Sequence, residues 1–292
     1  MYELDKAMII SASMAHDDID DSGSNMQETQ NHEWDAREYA AHSATQQALA
    51  RELIHKLNLR GNESLLDIGC GDGKVTAEIS TRLRNGNVLG IDSSADMVSH
   101  ADSNYPVTKY SNLKFLKVDA RKLSFYCKYD VVFSNAALHW IIDHMPVLKG
   151  IYSALKPHGK TFVQTGGKGN ASEVIKVAKR IVQEKRWNRY FKGFAFPYGF
   201  YGPEEYAPWL EEAGFNIVHI ELVHKDRIHE NKTEFKGWIR TTWLPYIHRI
   251  PAGIREDFIN HLSSEYLESF PPAQDDTIHT SMKVLQFEAT KP

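Results

Sequence analysis

The sequence predicts an α/β fold with a doubly wound sheet, and three observations carry that prediction. Residues 65 to 73, Leu-Leu-Asp-Ile-Gly-Cys-Gly-Asp-Gly, end a short apolar run in an acid and then turn through Gly69, Gly71 and Gly73. A helical spacing follows at once, with Val75, Ile79 and Leu83 on one face. A second apolar run, Asn87 to Ile91, closes on Asp92. Alternate glycines allow positive φ and let a flat ligand lie against bare backbone. A carboxylate at the tip of the second strand is placed to accept both hydroxyls of a ribose.

The spacing of the glycines separates two ligand classes. Dinucleotide sites favour G-x-G-x-x-G, with the pyrophosphate on a helix N-terminus. Here the run is G-x-G-x-G, preceded by Asp67. An acid beside the loop repels pyrophosphate but suits a ligand bearing an ammonium and a sulfonium, and S-adenosylmethionine carries both. The plainer reading is a glycine-rich turn with no ligand.

On these residues the sequence resembles the class I S-adenosylmethionine-dependent methyltransferases, from about Trp34 to the C-terminus. The resemblance implies a Rossmann-like, seven-stranded, mostly parallel sheet with helices on both faces and a small helical cap from inserts. The core segments follow in order. Lys117-Val118-Asp119-Ala120 ends a third strand, and Tyr129 to Ser134 reads as a fourth. Gly159 to Thr165 reads as a fifth, after a Leu155-Lys156-Pro157 turn. By resemblance, Asp67 and Gly69-Cys70-Gly71 flank the methionine part of the cofactor. Asp92 holds the ribose, with Ser93 and Met97 beside it. Asp119 receives the adenine amino group, the Ala120 backbone N–H meets a ring nitrogen, and Asn135 offers its carbonyl near the cofactor's amine.

Bulk properties bound the rest. The chain has 292 residues, 42% hydrophobic and 25% charged, which is ordinary for a soluble globular protein. A net charge of −4 gives no reason to expect a polyanionic partner. Two cysteines, Cys70 and Cys127, make no disulfide framework and fit a reducing setting. No apolar run approaches the roughly 18 residues a bilayer requires. Residues 1 to 30, with Asp17-Asp18-Ile19-Asp20-Asp21, read as a flexible acidic tail without the basic start of a secretion signal. The expectation is a cytoplasmic protein. Residues 31 to 165 then form the cofactor-binding core with an N-terminal lid helix. Residues 166 to 292 supply cap inserts and the last strands of the same domain.

The flanking segments choose the substrate. Leu49, Leu53 and Leu57 recur every four residues, as in a helix packed on a core. Ahead of them, Trp34, Tyr39 and Gln46 either pack that helix or form a lid over the methyl donor. Their register resembles the trans-aconitate methyltransferase group, which implies contacts with the cofactor. Asn135-Ala136-Ala137-Leu138-His139-Trp140 lacks the prolines of the Asn-Pro-Pro-Tyr loop of base-amine methyltransferases and again resembles that group. The resemblance sets His139 and Trp140 beside the transferable methyl, and the plainer reading makes them core residues. Gly237 to Tyr246 is the most group-specific segment outside the core. A buried Arg240 between Trp238 and Trp243 needs an anion, either a substrate carboxylate or an internal Asp or Glu. Tyr198 and Tyr201 are weaker candidates for the same pocket. Ser281 to Ala289 supplies the last strand.

Two further patterns are set aside. Gly166 to Pro208 mixes cations with Trp187, Tyr190, Phe191 and Phe194, but Val174, Val177, Ile181 and Val182 stand at helical spacing. A solvated helix face therefore ranks first, a funnel for a small anion second, and nucleic acid last. His219, His224 and His229 fall five apart, which suits no metal site, so no metal is expected.

The combined expectation is a methyltransferase forming the methyl ester of a small carboxylic acid, with His139, Trp140 and Arg240 as the catalytic set. It needs no membrane and acts as a monomer or weak homodimer. A carboxylate is already ionised, which agrees with the lack of a Ser-His-Asp or paired-acid pattern. The alternatives are a C- or N-methyltransferase using His139 as proton acceptor, a nicotinamide oxidoreductase, and a ligand-binding protein without turnover.

Overall fold

A computed structural model describes residues 50 to 292 except Glu52. The acidic tail, Trp34, Tyr39, Gln46 and Leu49 lie outside the described residues. Leu53 is buried on a helical stretch at 53–56, and Leu57 is buried on the turn that ends it. From there strands and helices alternate: β1 (Ser64–Ile68), α1 (Lys74–Arg82), β2 (Asn87–Asp92), α2 (Ala95–Asn104), β3 (Leu113–Lys117), β4 (Tyr129–Asn135), α3 (Met145–Ala154) and β5 (Leu155–Gly166). Then follow α4 (Ser172–Ile181), α5 (Pro203–Glu212), β6 (Asn216–His229), α6 (Lys232–Thr242), α7 (Leu244–Ile247), α8 (Arg255–Ser269) and β7 (Ile278–Thr290).

The strands form one sheet in the order β3-β2-β1-β4-β5-β7-β6. All neighbours from β3 to β5 are parallel, and β7 runs antiparallel to both β5 and β6. The order in which strands are added switches sides between β1 and β4, which run parallel. A crevice opens beyond their carboxyl ends, the usual ligand position in such sheets. Alternation along β1 sends Leu66 and Ile68 to a core built with α3 and α5, and Leu65 to another built with α1 and residues 53–57. Burial on both faces is why β1 and β4 read as mostly apolar runs, broken by Asp67 in the first and by Asp130 and Ser134 in the second.

The fifth strand differs from expectation. It begins at Leu155, fully buried and paired with Tyr129, instead of following a free turn. An irregularity between Tyr129 and Val131, with His158 at φ 62°, absorbs the bend.

A third core lies among α4, α6, α7 and α8, where Trp187, Phe191, Trp238, Phe258 and Tyr266 pack together. The aromatic residues of the basic insert thus fill a core. Arg180 and Arg186 pair with Glu265 and Asp257 on α8. The ribbon of β6 and β7 outruns its neighbours. Val284 faces Gly166 at the end of β5, yet β6 and β7 stay paired to His229 and Ile278. No described helix is long and apolar enough to cross a membrane.

Candidate active site

β1 delivers Asp67 to the crevice floor, only 2% exposed, where it accepts the Thr76 hydroxyl at 2.6 Å. Burial pushes its pKa up to about 7, against the Thr76 hydrogen bond and with a smaller push from Asp92. Gly69 then turns at φ 74°, and the Gly69 and Cys70 N–H groups donate to the Ile91 carbonyl at 2.8 and 3.0 Å. A Cβ on Gly69 would lie 2.1 Å from the Ala137 Cβ, so a bare backbone is what lets the loop after β4 close over the turn. The Cys70 thiol is buried there, and burial raises its pKa.

Asp92 accepts the Gly71 N–H on Oδ2 at 3.0 Å and the Ser94 N–H on Oδ1 at 2.9 Å. Each oxygen keeps a lone pair, the arrangement a vicinal diol requires. Ser93 is exposed, and Met97, buried, donates its N–H to the Ser94 cap of α2. Asp119 caps a short turn over Ala120–Lys122. Its carboxylate is held by Arg121, from Nη2 at 2.6 Å and Nε at 3.0 Å, which lowers its pKa. An adenine amino group at Asp119 must therefore share that carboxylate with Arg121.

The crook offers an array of carboxylate acceptors above a glycine turn. That set fits a cationic, ribose-bearing methyl donor and suits a pyrophosphate poorly.

Asn135 stands at the end of a side-chain relay. Lys56 Nζ donates to Gln286 Oε1 at 3.2 Å, Gln286 Nε2 donates to Gln164 Oε1, and Gln164 Nε2 donates to Asn135 Oδ1 at 2.8 Å. An ammonium can only donate, so the chain has one direction. The Asn135 carbonyl thus accepts one hydrogen bond from within the fold and keeps a second lone pair.

Beyond Asn135 lies a cavity of about 850 Å³, counting its open mouth. His139 and Trp140 line it after β4, Thr165 and Gly166 at the end of β5, and Tyr198 and Phe200 from the loop before α5. Arg227 of β6, Trp238, Thr241 and Trp243 at α6, and Met282 and Val284 of β7 also line it. The His139 ring is constrained on one side. Gly166 N–H donates to Nδ1 at 3.3 Å, and Nδ1 lies 3.1 Å from Thr165 Oγ1, which itself accepts the His139 backbone N–H at 2.8 Å. Thr165 thus spends its own proton on Nδ1, which leaves the ring proton on Nε2. Burial, with His144 nearby, lowers the His139 pKa to about 3. The ring is neutral and acts as an N–H donor.

Arg240 does not line this cavity. It is half-buried, and its Nε and Nη2 bind the two oxygens of Glu256 at 2.7 and 2.8 Å. Two residues past Trp238, it lies about 200° round the helix from that buried ring. Tyr198 does line the cavity, donating to the Thr242 carbonyl at 3.0 Å, whereas Tyr201 bonds to the Ile142 carbonyl outside it. Sequence reasoning missed Arg227, Thr165 and Gln164. Arg227 and His229 alternate inward while Asp226 and Ile228 face out, so no apolar period marks that strand.

A family model described as a methyltransferase domain matches residues 59–214. The chain belongs to the class I S-adenosylmethionine-dependent methyltransferases. The methyltransferase is 31% identical over 236 residues to an uncharacterised methyltransferase of Schizosaccharomyces pombe, a match covering 78% of this chain and 88% of that one. It is 33% identical over 249 residues to trans-aconitate 2-methyltransferase of Escherichia coli, covering 84% and 93%. Among solved structures, Haemonchus contortus phosphoethanolamine N-methyltransferase 2, in complex with S-adenosyl-L-methionine, shares the fold. Its TM-score is 0.56 at 18% identity, covering 88% of this chain and 56% of that one. The cofactor of the methyltransferase is S-adenosylmethionine.

Proposed function

We propose that the methyltransferase esterifies a carboxylate of a small organic acid, trans-aconitate-like in class. The observation that supports this reading is the proton inventory at His139. With Nδ1 taken by Thr165 and Gly166, and a pKa near 3, the ring has no capacity to accept a proton from an amine or a carbon acid. A carboxylate needs no such acceptor. The name shared by relatives from Escherichia coli and Deinococcus radiodurans, trans-aconitate 2-methyltransferase, supports the same class.

In this reading Asp67 balances the positive charge of the donor, Asp92 takes its ribose hydroxyls, and Asp119 with Ala120 takes its adenine. The donor supplies a methyl on sulfonium, so the carboxylate oxygen forms the new O–C bond with a lone pair while the C–S pair stays on sulfur. The chain's own part is alignment and exclusion of water. His139 Nε2–H, the Trp140 indole and the Asn135 amide orient the acid through its second oxygen. The aromatic wall strips the nucleophile of solvent, and such positioning supplies roughly 7–11 kcal/mol of barrier reduction.

The test is transfer from a methyl-labelled donor to a panel of di- and tricarboxylates, fatty acids, amines and RNA. Base-labile volatile label, released as methanol, is the expected result. Label that survives base, on nitrogen or carbon, would overturn the reading.

A further inference from the structure

The far wall of the cavity carries a group that methyl transfer itself does not use. Arg227, 8% exposed, lines it from β6 with its guanidinium 5.5 Å from the centre of the Trp238 ring. Trp243 lines the same cavity, 2% exposed, and its buried indole N–H has no acceptor among the described residues. A buried donor left without an acceptor is costly, and a ligand oxygen is what relieves it.

Register sets how far this corner lies from the reacting end. Gly166, next to His139, faces Val284, whereas Arg227 faces Thr280. The arginine row is therefore four residues further out along β7, roughly 13 Å at the usual strand rise. The wall between is apolar: Met282 and Val284 on one side, and on the other the Tyr198 and Phe200 rings, stacked at 5.3 Å. Among the described residues lining the cavity, Arg227 is the one with a formal positive charge.

We infer that Arg227 and the Trp243 indole form a second anion site that selects acids bearing an additional anionic group beyond an apolar spacer. The inference rests on the carboxylate reading above. The acceptor class is then an α,ω-dianionic acid, with one end methylated and the other held on the β6–β7 ribbon. The shared chemistry is a fixed, planar cation and a neutral donor meeting one oxyanion.

The experiment is calorimetric binding to the full chain loaded with S-adenosylhomocysteine, so that no turnover intervenes. The probes are α,ω-dicarboxylates of about four to about ten carbons and monocarboxylates of equal length. The expected result is that the preferred diacid binds about tenfold to a hundredfold more tightly than its monoacid, the scale of a charge-assisted hydrogen bond. Arg227→Met removes that preference and leaves monoacid affinity unchanged. Trp243→Phe keeps the ring and lowers diacid affinity about fivefold, the scale of one neutral hydrogen bond. S-adenosylhomocysteine affinity, unchanged in both variants, reports the fold, and Trp243→Phe carries the test should Arg227→Met fail to fold. Equal binding of diacid and monoacid, or undiminished preference in the folded variants, overturns the site. Diacid preference without any base-labile label overturns the esterification reading and leaves this site standing. Labelled esters without diacid preference do the reverse.

Discussion

Thr165 is joined to His139 twice, once through the backbone N–H at 2.8 Å and once through ring Nδ1 at 3.1 Å. The end of β5 thereby fixes both the position and the tautomer of a ring carried by the loop after β4. Thr165→Val removes the hydroxyl and leaves only the long Gly166 contact. We expect kcat/KM for the acid to fall about tenfold to a hundredfold, the scale of the two hydrogen bonds the hydroxyl makes, with donor affinity unchanged. Thr165→Ser restores the rate. Nitrogen NMR of His139 checks the cause, since the Nδ1 resonance should shift with loss of the hydroxyl in the valine variant alone, while the Gly166 N–H keeps the ring proton on Nε2.

Asp67 makes donor binding pH-dependent. Its folded pKa of about 7 lies above the ordinary 3.8, raised by burial, with Thr76 and Asp92 as the groups facing it. The folded chain therefore binds more protons than the unfolded chain between those values. This carboxyl helps the ligand-free fold at low pH and loses that contribution as pH rises through 7. A cationic donor prefers the ionised form, so its affinity has the opposite trend. From about pH 5.5 to about pH 7.5 the Kd for S-adenosylmethionine should fall by about tenfold or more and then level. Asp67→Asn should give weak binding without that slope, as read by calorimetry across the range.

The crook between β1 and β2 was legible because its acids sit where the apolar runs stop. Asp92 ends β2 and Asp67 stands one residue before the end of β1, so one sequence signal marks both strand and crook. The half that lines the cavity hides for the opposite reason. β6 turns Arg227 and His229 inward and Ile228 outward, reversing the period that marks a strand. Proximity in sequence to two tryptophans drew attention to Arg240, but helical geometry turns it away from them to Glu256. The direction of Asn135 depends on Lys56, Gln164 and Gln286, three residues spread over 230 positions that no local pattern links.

That relay is itself testable. Gln164 is 3% exposed and Gln286 is 6% exposed, so each needs its partners. Gln164→Leu leaves the Gln286 amide without an acceptor and releases Asn135 to turn its carbonyl outward. The stability lost should be about 1–3 kcal/mol, the cost of an unsatisfied buried polar group, read by urea unfolding. The KM for the acid should rise in the same variant, because a carbonyl would then face the carboxylate. Lys56→Met, at the exposed end of the chain, should have the smaller effect on both readings.

Arg240 and Arg227 offer the sharpest contrast between two arginines near the same tryptophans. The Arg240 side chain is 30% exposed and its partner Glu256 is 59% exposed, so water screens the pair. Arg240 lowers the Glu256 pKa below its ordinary 4.5, and the pair's contribution is present above that value and lost on acidification. Exposed pairs of this kind contribute about 0–1 kcal/mol. Arg240→Ala should therefore shift urea unfolding by no more than that at neutral pH and by nothing in acid. Its KM for the acid should match the parent, while Arg227→Met raises it. A KM raised about tenfold by Arg240→Ala, with stability intact, would return the carboxylate clamp to α6 and take it away from the ribbon.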